Sequence, residues 1–347
     1  MSHANTLVSV IVPSYNSIRT LRLCLESIRA QTYTPIQMIV VDDESTDGSD
    51  AIAEELGATL VRTGVNSGVA VARNMGVDAA SGEILFFLDS DLAMDPRAVD
   101  TAVTLLESMP HVGVFCGAYE PVPLIPTTMA GRYRTIEQGV WFNEIEAGPI
   151  RGLYSAIFAT RKETFRAIGP FNTRLRWTED MEYGIRILQR YEMWVSRDIH
   201  GRHDHDRTLY TIFRKVWQRT RLGIQLWTHF RQLPGGAAAP NRALSSVTAL
   251  AAALALPLPL LVGPLGALAT PLLVLLTIGL DPRMYRYAFT DGGLLFGLYF
   301  TAVRIAVVLT TAVAAGTGIL QYLLTGGHRA GVPVKPAGRR RIAVAQK

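Results

Sequence analysis

Asp89-Ser90-Asp91 directly follows the apolar run Glu83–Leu88, EILFFL. Two carboxylates one residue apart on extended chain can hold a hard divalent cation, Mg2+ or Mn2+, against a substrate diphosphate. Such ions take oxygen ligands and keep waters and phosphates in their shell. The same three residues also make an ordinary turn. Asp42-Asp43 ends a second apolar run, in VVDDESTDGS. A carboxylate there can accept hydrogen bonds from a base or a ribose, or it can form an Asx turn or cap a helix. The third acidic group lies in Trp177–Tyr183, WTEDMEY, ahead of the apolar stretch Gly184–Leu188. Acids at a helix start complement its dipole. Alternatively, one of them points into a site as a general base.

These residues need elements to hold them. Leu7–Pro13, Gln37–Asp42, Thr59–Arg62 and Glu83–Leu88 read as buried strands, and Ile18–Ala30, Ser49–Leu56 and Gly68–Ala80 as the helices between them. Continuous apolar strands alternating with helices predict an α/β fold with a mostly parallel sheet covered on both faces. Ligands sit at the carboxyl ends of such strands. Here those ends carry Ser14-Tyr15-Asn16, Asp42-Asp43 and Asp89-Ser90-Asp91.

The remainder of the chain changes character. Residues 243–280 carry no charge, and between Gly292 and His328 Arg304 is the single charged side chain. As one helix the first run would be about 57 Å long, nearly twice the ~30 Å of a bilayer's hydrocarbon core. Pro257, Pro259, Gly263, Pro264 and Gly266 can turn it, which predicts a hairpin; a buried pair of core helices is the alternative. The second run, about 54 Å as a helix, again fits two crossings better than one. If Gly292–Val303 lies in the interface instead, Arg304 sits at the headgroups and Ile305–Leu324 alone crosses. The polar start, Met1–Thr6, has no apolar core of a signal peptide. After Leu324 the chain carries Arg329, Lys335, Arg339, Arg340, Arg341 and Lys347 and no acid. A basic stretch beside apolar segments reads as cytoplasmic and faces anionic lipid; nucleic acid is not expected as a partner, since aromatics are not interleaved. Both ends on the cytoplasmic side require two or four crossings. Cys24 and Cys116 read as free buried thiols of a reducing compartment. Phe213–Trp227, with Arg214, Lys215, Arg219 and Arg221 among apolar positions at helical spacing, reads as a basic amphipathic helix in the membrane interface.

Taken together, VSVIVPSYN (Val8–Asn16), VVDDESTDGS (Val40–Ser49), NSGVAVARNMG (Asn66–Gly76), EILFFLDSD (Glu83–Asp91) and TEDMEYGIRI (Thr178–Ile187) resemble family 2 glycosyltransferases of the GT-A fold, in order and in separation. The resemblance covers the first 240 residues. It implies a nucleotide-diphosphate sugar donor, a UDP-sugar in the first instance, Mn2+ or Mg2+ as cofactor, and an inverting transfer. Position by position, it places Pro13, Tyr15 and one of Asp42 and Asp43 at the nucleotide, and Arg73 near the first phosphate. Asp89 and Asp91 match the metal-binding pair, and Asp180 the catalytic base. Gly152 matches an acceptor-side loop, although Leu153-Tyr154 departs from the family pattern there. Glu179, His203 and Arg221 stand as further contacts to acceptor or diphosphate. Processive members carry Gln-x-x-Arg-Trp before the membrane; Gln218–Leu222 lacks the tryptophan, which argues against long-chain synthesis. His203 and His205, alternate on one strand face, begin a zinc set that no neighbouring His or Cys completes. They read instead as part of a mobile acceptor-side loop near the donor phosphates.

The resulting organisation is a catalytic domain over 1–210, an amphipathic interfacial helix and linker over 211–242, transmembrane helices over 243–327 and a basic cytoplasmic tail over 328–347. The expected activity is transfer of a sugar to a lipid-linked or membrane-proximal glycan acceptor, in a multi-pass inner-membrane protein with its catalytic domain in the cytoplasm. A nucleotidyltransferase-like enzyme and an inactive membrane scaffold are the alternatives.

Overall fold

The computed structural model describes residues 6–230 and 240–325; the basic tail and the Gly235–Ala239 linker lie outside them. The first half is built as expected. Strands β1 (Val8–Ser14), β2 (Ile36–Asp42), β3 (Thr59–Arg62) and β4 (Ile84–Leu88) run parallel, linked by helices α1 (Leu21–Arg29), α2 (Ser49–Glu55) and α3 (Val69–Ala79). They continue into β5 (Leu92–Met94), α4 (Ala98–Ser108), β6 (Val112–Tyr119), α5 (Met129–Glu144), β7 (Gly148–Ile150), β8 (Ile157–Arg161), α6 (Lys162–Ile168), α7 (Glu179–Ile187) and β9 (Glu192–His203). The sheet order is β3-β2-β1-β4-β8-β6-β9-β5, with β7 added on β9. β8 enters antiparallel between β4 and β6, so the sheet is mixed beyond its parallel half.

Alternation along the strands makes two cores. Val8, Val10 and Val12 pack under α1 with Phe86 and Phe115, while Ile11, Ile39, Val41 and Phe87 face α3 and α7. Phe87 stacks on Phe158 at 4.4 Å, and Phe171 on Tyr183 at 4.1 Å. Gly76 permits the approach of α3 to β1: a Cβ there would lie 2.3 Å from Ile11 Cγ2.

The carboxyl half departs from expectation in two ways. Helix α8 (Leu209–Phe230) is longer than predicted and half-buried between the α/β domain and a later helix. The first apolar run does form a hairpin, α9 (Pro240–Leu254) packed on α11 (Ala269–Gly279), turned through the short α10 (Leu258–Val262) and a 3-10 turn at Pro264–Leu268. At 1.5 Å per residue the two arms are about 22 and 16 Å long, each shorter than a bilayer core. The second apolar run is not a pair of crossings. It belongs to one helix, α12 (Pro282–Thr325), kinked at Gly293, the one helix among the described residues long and apolar enough to cross a membrane.

Arg304 is buried within the protein. Its guanidinium is buried, 2.6 Å from Glu137 on α5 and 3.6 Å from Asp281. Arg134 also pairs with Glu137. Burial alone would raise the Glu137 pKa, but the Arg134 and Arg304 charges outweigh it and hold the carboxyl at about 2. Breaking a buried pair leaves an uncompensated charge. Arg304→Ala is therefore expected to lower stability by about 3 kcal/mol, with Arg134 limiting the loss. Glu137→Met combined with Arg304→Met should recover most of it, measured by thermal unfolding in detergent. A single variant as stable as the parent would show that the pair does not clamp α12 to α5.

Candidate functional site

An open cleft of about 380 Å³ lies at the carboxyl ends of β1 and β4, walled by Tyr15, Asp43, Val69, Asp89, Asp91 and Asp204 among others. The turn after β1 is fixed by Asn16 in the left-handed region, φ 51°, which Asn tolerates well. Its backbone N–H donates to Ser45 Oγ at 2.9 Å and its Oδ1 accepts from the Thr46 N–H at 2.8 Å. Turn is thereby tied to turn, and Tyr15 stands out, half-exposed, at the mouth. The paired aspartates separate. Asp42 is buried and closes its own turn onto the Ser45 N–H. Asp43 forms cleft wall, and its oxygens accept from the N–H groups of Ser67 and Gly68, both at 2.8 Å.

Behind the cleft, Arg73 joins the other two acidic groups. It is buried beneath the cleft rather than lining it, with Nη2 2.9 Å from Asp89 Oδ1 and Nη1 3.7 Å from Glu179. The same Nη2 donates to the Ser155 carbonyl at 3.1 Å, and Ser155 Oγ lies 3.4 Å from Asp180 Oδ2. Asp89, Arg73, Ser155 and Asp180 thus form one connected group, with Asp180 itself buried at the start of α7. From α8, Arg219 closes an ion pair on Asp180 while leaving nearly half of its own side chain exposed.

On the opposite wall, His203 Nε2 at the end of β9 is 3.3 Å from Asp91 Oδ1, an oxygen covered from solvent yet without a hydrogen bond. The Asp204 N–H donates to the Asp91 carbonyl at 2.8 Å. His203 stacks on His205 at 4.2 Å, and Tyr119 packs against both rings. Burial lowers the His205 pKa well below the ordinary value and keeps that ring neutral. Among the described residues no three His, Cys, Asp or Glu side chains converge as a metal cage. A two-residue set of Asp91 and His203 fits an ion that takes its remaining ligands from phosphate and water.

The sequence profile described as "Glycosyl transferase family 2" matches residues 9–144. Residues 9–144 are thus similar to a family 2 glycosyltransferase domain. An uncharacterized glycosyltransferase of Haemophilus influenzae is 30% identical over 192 residues, 53% of this chain and 62% of that protein. The match therefore spans less than two thirds of that relative's length. A Mycobacterium bovis protein named "PGL/p-HBAD biosynthesis glycosyltransferase" is 29% identical over 202 residues, 57% of this chain and 75% of that one. Among solved structures, the mannosyltransferase PcManGT of Pyrobaculum calidifontis, in complex with GDP-Man and Mn2+, shares the fold at a TM-score of 0.52 and 19% identity, over 93% of this chain and 86% of that one.

Two expected contacts are redirected. Arg221 does not face the cleft: it donates to Gln321 on α12 at 2.9 Å and to Gln218 at 3.0 Å. Its place beside the acids is taken by Arg219, two residues earlier and about 200° around the helix. His203 belongs to β9 and pairs with Leu92 rather than lying in a loop. Gly152 lies in the loop that meets Asp180 through Ser155, so that loop's approach to the site is made by a residue the motif comparison passed over. Arg19, 3.7 Å from Asp204 on the cleft rim, was also missed, having no neighbours of recognisable pattern.

Glu179 yields a pH prediction. Burial, with the Asp180 charge beside it, raises its pKa to about 7, against roughly 4.3 in an unfolded chain. Between those values the folded state keeps a proton that the unfolded state has released, so this group's contribution falls as pH rises through the window and stays unfavourable above it. Glu179→Gln is expected to raise the melting temperature at pH 8 and leave it nearly unchanged at pH 4. Equal effects at the two pH values would show that Glu179 does not carry this proton.

Proposed function

We propose that the chain is an inverting, metal-assisted glycosyltransferase that moves a sugar from a nucleoside-diphosphate donor to a hydroxyl of a lipid-linked or membrane-proximal glycan at the inner face of the cell membrane. The observation that carries this reading is the connected group Asp89–Arg73–Ser155–Asp180, which joins the acids beside the cleft to a carboxylate beyond the family match. Tyr15, Pro13 and Asp43 would bound the nucleotide, Asp43 rather than Asp42 because it is the one forming cleft wall. Asp91 with His203 would hold Mn2+ or Mg2+, and Asp89, fixed by Arg73, would support it. When bound, such an ion supplies Lewis-acid stabilisation of the charge gathering on the diphosphate. The division at residue 210 would separate catalysis from attachment, with α8 belonging to both.

The reaction this site suits is direct displacement. The acceptor oxygen bonds to the anomeric carbon as the bond to the diphosphate oxygen breaks, and inversion follows from attack on the opposite face. The acceptor's proton passes to Asp180, and the bonding electrons leave with the nucleoside diphosphate. Arg219 covers Asp180, so an acceptor must displace its guanidinium or share it. The mannosyltransferase of the same fold, solved with GDP-Man and Mn2+, supports a diphosphate donor and a divalent ion.

The test is release of nucleoside diphosphate from a panel of UDP- and GDP-sugars by detergent-solubilised protein with membrane lipid extract, with Mn2+, Mg2+ or EDTA. Release that needs a divalent ion and a lipid acceptor is the expected result. Pyrophosphate in place of nucleoside diphosphate would identify nucleotidyl transfer, and no release from any donor would identify a scaffold.

A further inference from the structure

Helix α12 is long enough to cross a bilayer, yet it is held at its middle by α5 and toward its end by α8. Near the middle, Arg304 is fastened to Glu137 of α5, 2.6 Å away. Toward the end, Gln321 accepts from Arg221 and Gln225 of α8, at 2.9 and 2.8 Å. Gly318 lies so close to α8 that a Cβ there would be 2.6 Å from the Arg221 carbonyl oxygen. This stretch of α8 is itself seated on the catalytic site: Arg219 pairs with Asp180, and Gly223 lies against Met181. From Arg304 to Gln321 is about 25 Å of helix. If that segment crossed the hydrocarbon, α8 and the residues around Asp180 would have to follow it to the far side.

Around this fastened helix stand most of the large exposed apolar side chains of the described residues. They crowd the hairpin turn, where Leu260 is 90% and Leu265 81% exposed, and return on the outer side of α12 at Val313, Leu320, Leu323 and Leu324. Acids are almost absent from this half: Asp281 is buried and paired, and Asp291 pairs with Arg132. The exposed leucines give way in sequence to Arg329, Lys335 and Arg339–Arg341, with no acid among them. An apolar surface of this size is a binding face. Protruding leucines beside basic chain match an acyl layer under anionic headgroups.

We infer that α9–α12 enter one leaflet of an anionic bilayer from the side on which catalysis occurs, with α12 lying along the catalytic domain and neither it nor the hairpin crossing the membrane. The two arms of the hairpin, each shorter than the hydrocarbon core, suit this depth. The inference deepens the proposed function by fixing how the site meets a lipid-linked acceptor. Its test reads attachment alone, so it stands or fails independently of transfer.

Three single-cysteine variants of the full chain test it: Thr290→Cys at an exposed site near the start of α12, Val262→Cys at the hairpin turn, and Lys347→Cys. Cys24 and Cys116 are buried and give little background. Membranes from expressing cells are treated with a membrane-impermeant maleimide, as intact cells and as inverted vesicles. Labelling of positions 290 and 347 from the same face, and of 262 from neither, is the expected result. Labelling of 290 and 347 from opposite faces would establish a crossing by α12, and labelling of 262 from the face opposite 290 a crossing by the hairpin. Either overturns the inference. In parallel, protein freed of detergent should float with phosphatidylglycerol–phosphatidylethanolamine vesicles. A soluble dimer that ignores them would show that a second copy, not lipid, covers this face.

Discussion

Asp180→Asn is expected to reduce sugar transfer by about 10²–10⁴-fold, the usual contribution of a positioned general base, with donor affinity nearly unchanged. Asparagine keeps the size and the contact with Ser155 Oγ but cannot take the acceptor's proton. The carboxylate is buried and meets Arg219, Ser155 and the Met181 N–H, groups that hold it in place and none of which is a base at neutral pH. The measurements are transfer rate under saturating donor and donor binding by calorimetry. Transfer within about tenfold of the parent, with binding intact, would remove Asp180 from the role. Loss of both would point to a collapsed site, since Arg219 would face a neutral partner.

Asp91→Ala is expected to abolish transfer, by about 10³-fold or more, the several kcal/mol a Lewis acid provides to a leaving diphosphate. Excess Mn2+ should not restore it, because with Asp91 gone His203 alone remains of the pair that would hold the ion. His203→Ala should be milder and partly rescued by added metal. Full activity of the parent chain in EDTA would end the metal-assisted mechanism, whichever residues hold the substrate.

The parallel half of the sheet and its acidic strand ends were legible in the sequence because each strand is a short apolar run ending in polar residues. Sequence motifs also pointed to the Asp42–Asp43 pair, Asp89, Asp91 and Asp180; the chain brings Asp43, Asp89 and Asp91 around one cleft and joins Asp180 to Asp89 through Arg73 and Ser155. What the sequence concealed depends on rotation about a helix or on distant pairing. Arg219 and Arg221 are nearly equivalent in one dimension, yet one meets Asp180 and the other Gln321. Arg304 reads as an intrusion into an apolar run until Glu137, 167 positions away, is seen beside it. The antiparallel entry of β8 leaves no mark either, since its buried residues look the same in either direction.

The opposite faces of α8 bear on how the protein can be divided. A fragment ending before Leu209 would lack the arginine that covers Asp180, leaving the carboxylate open to solvent and to stray cations. A fragment ending at Phe230 would keep that arginine but bare the side of α8 against which Gly318 and Gln321 pack. The helix that closes over Asp180 is also the first layer of the apolar half.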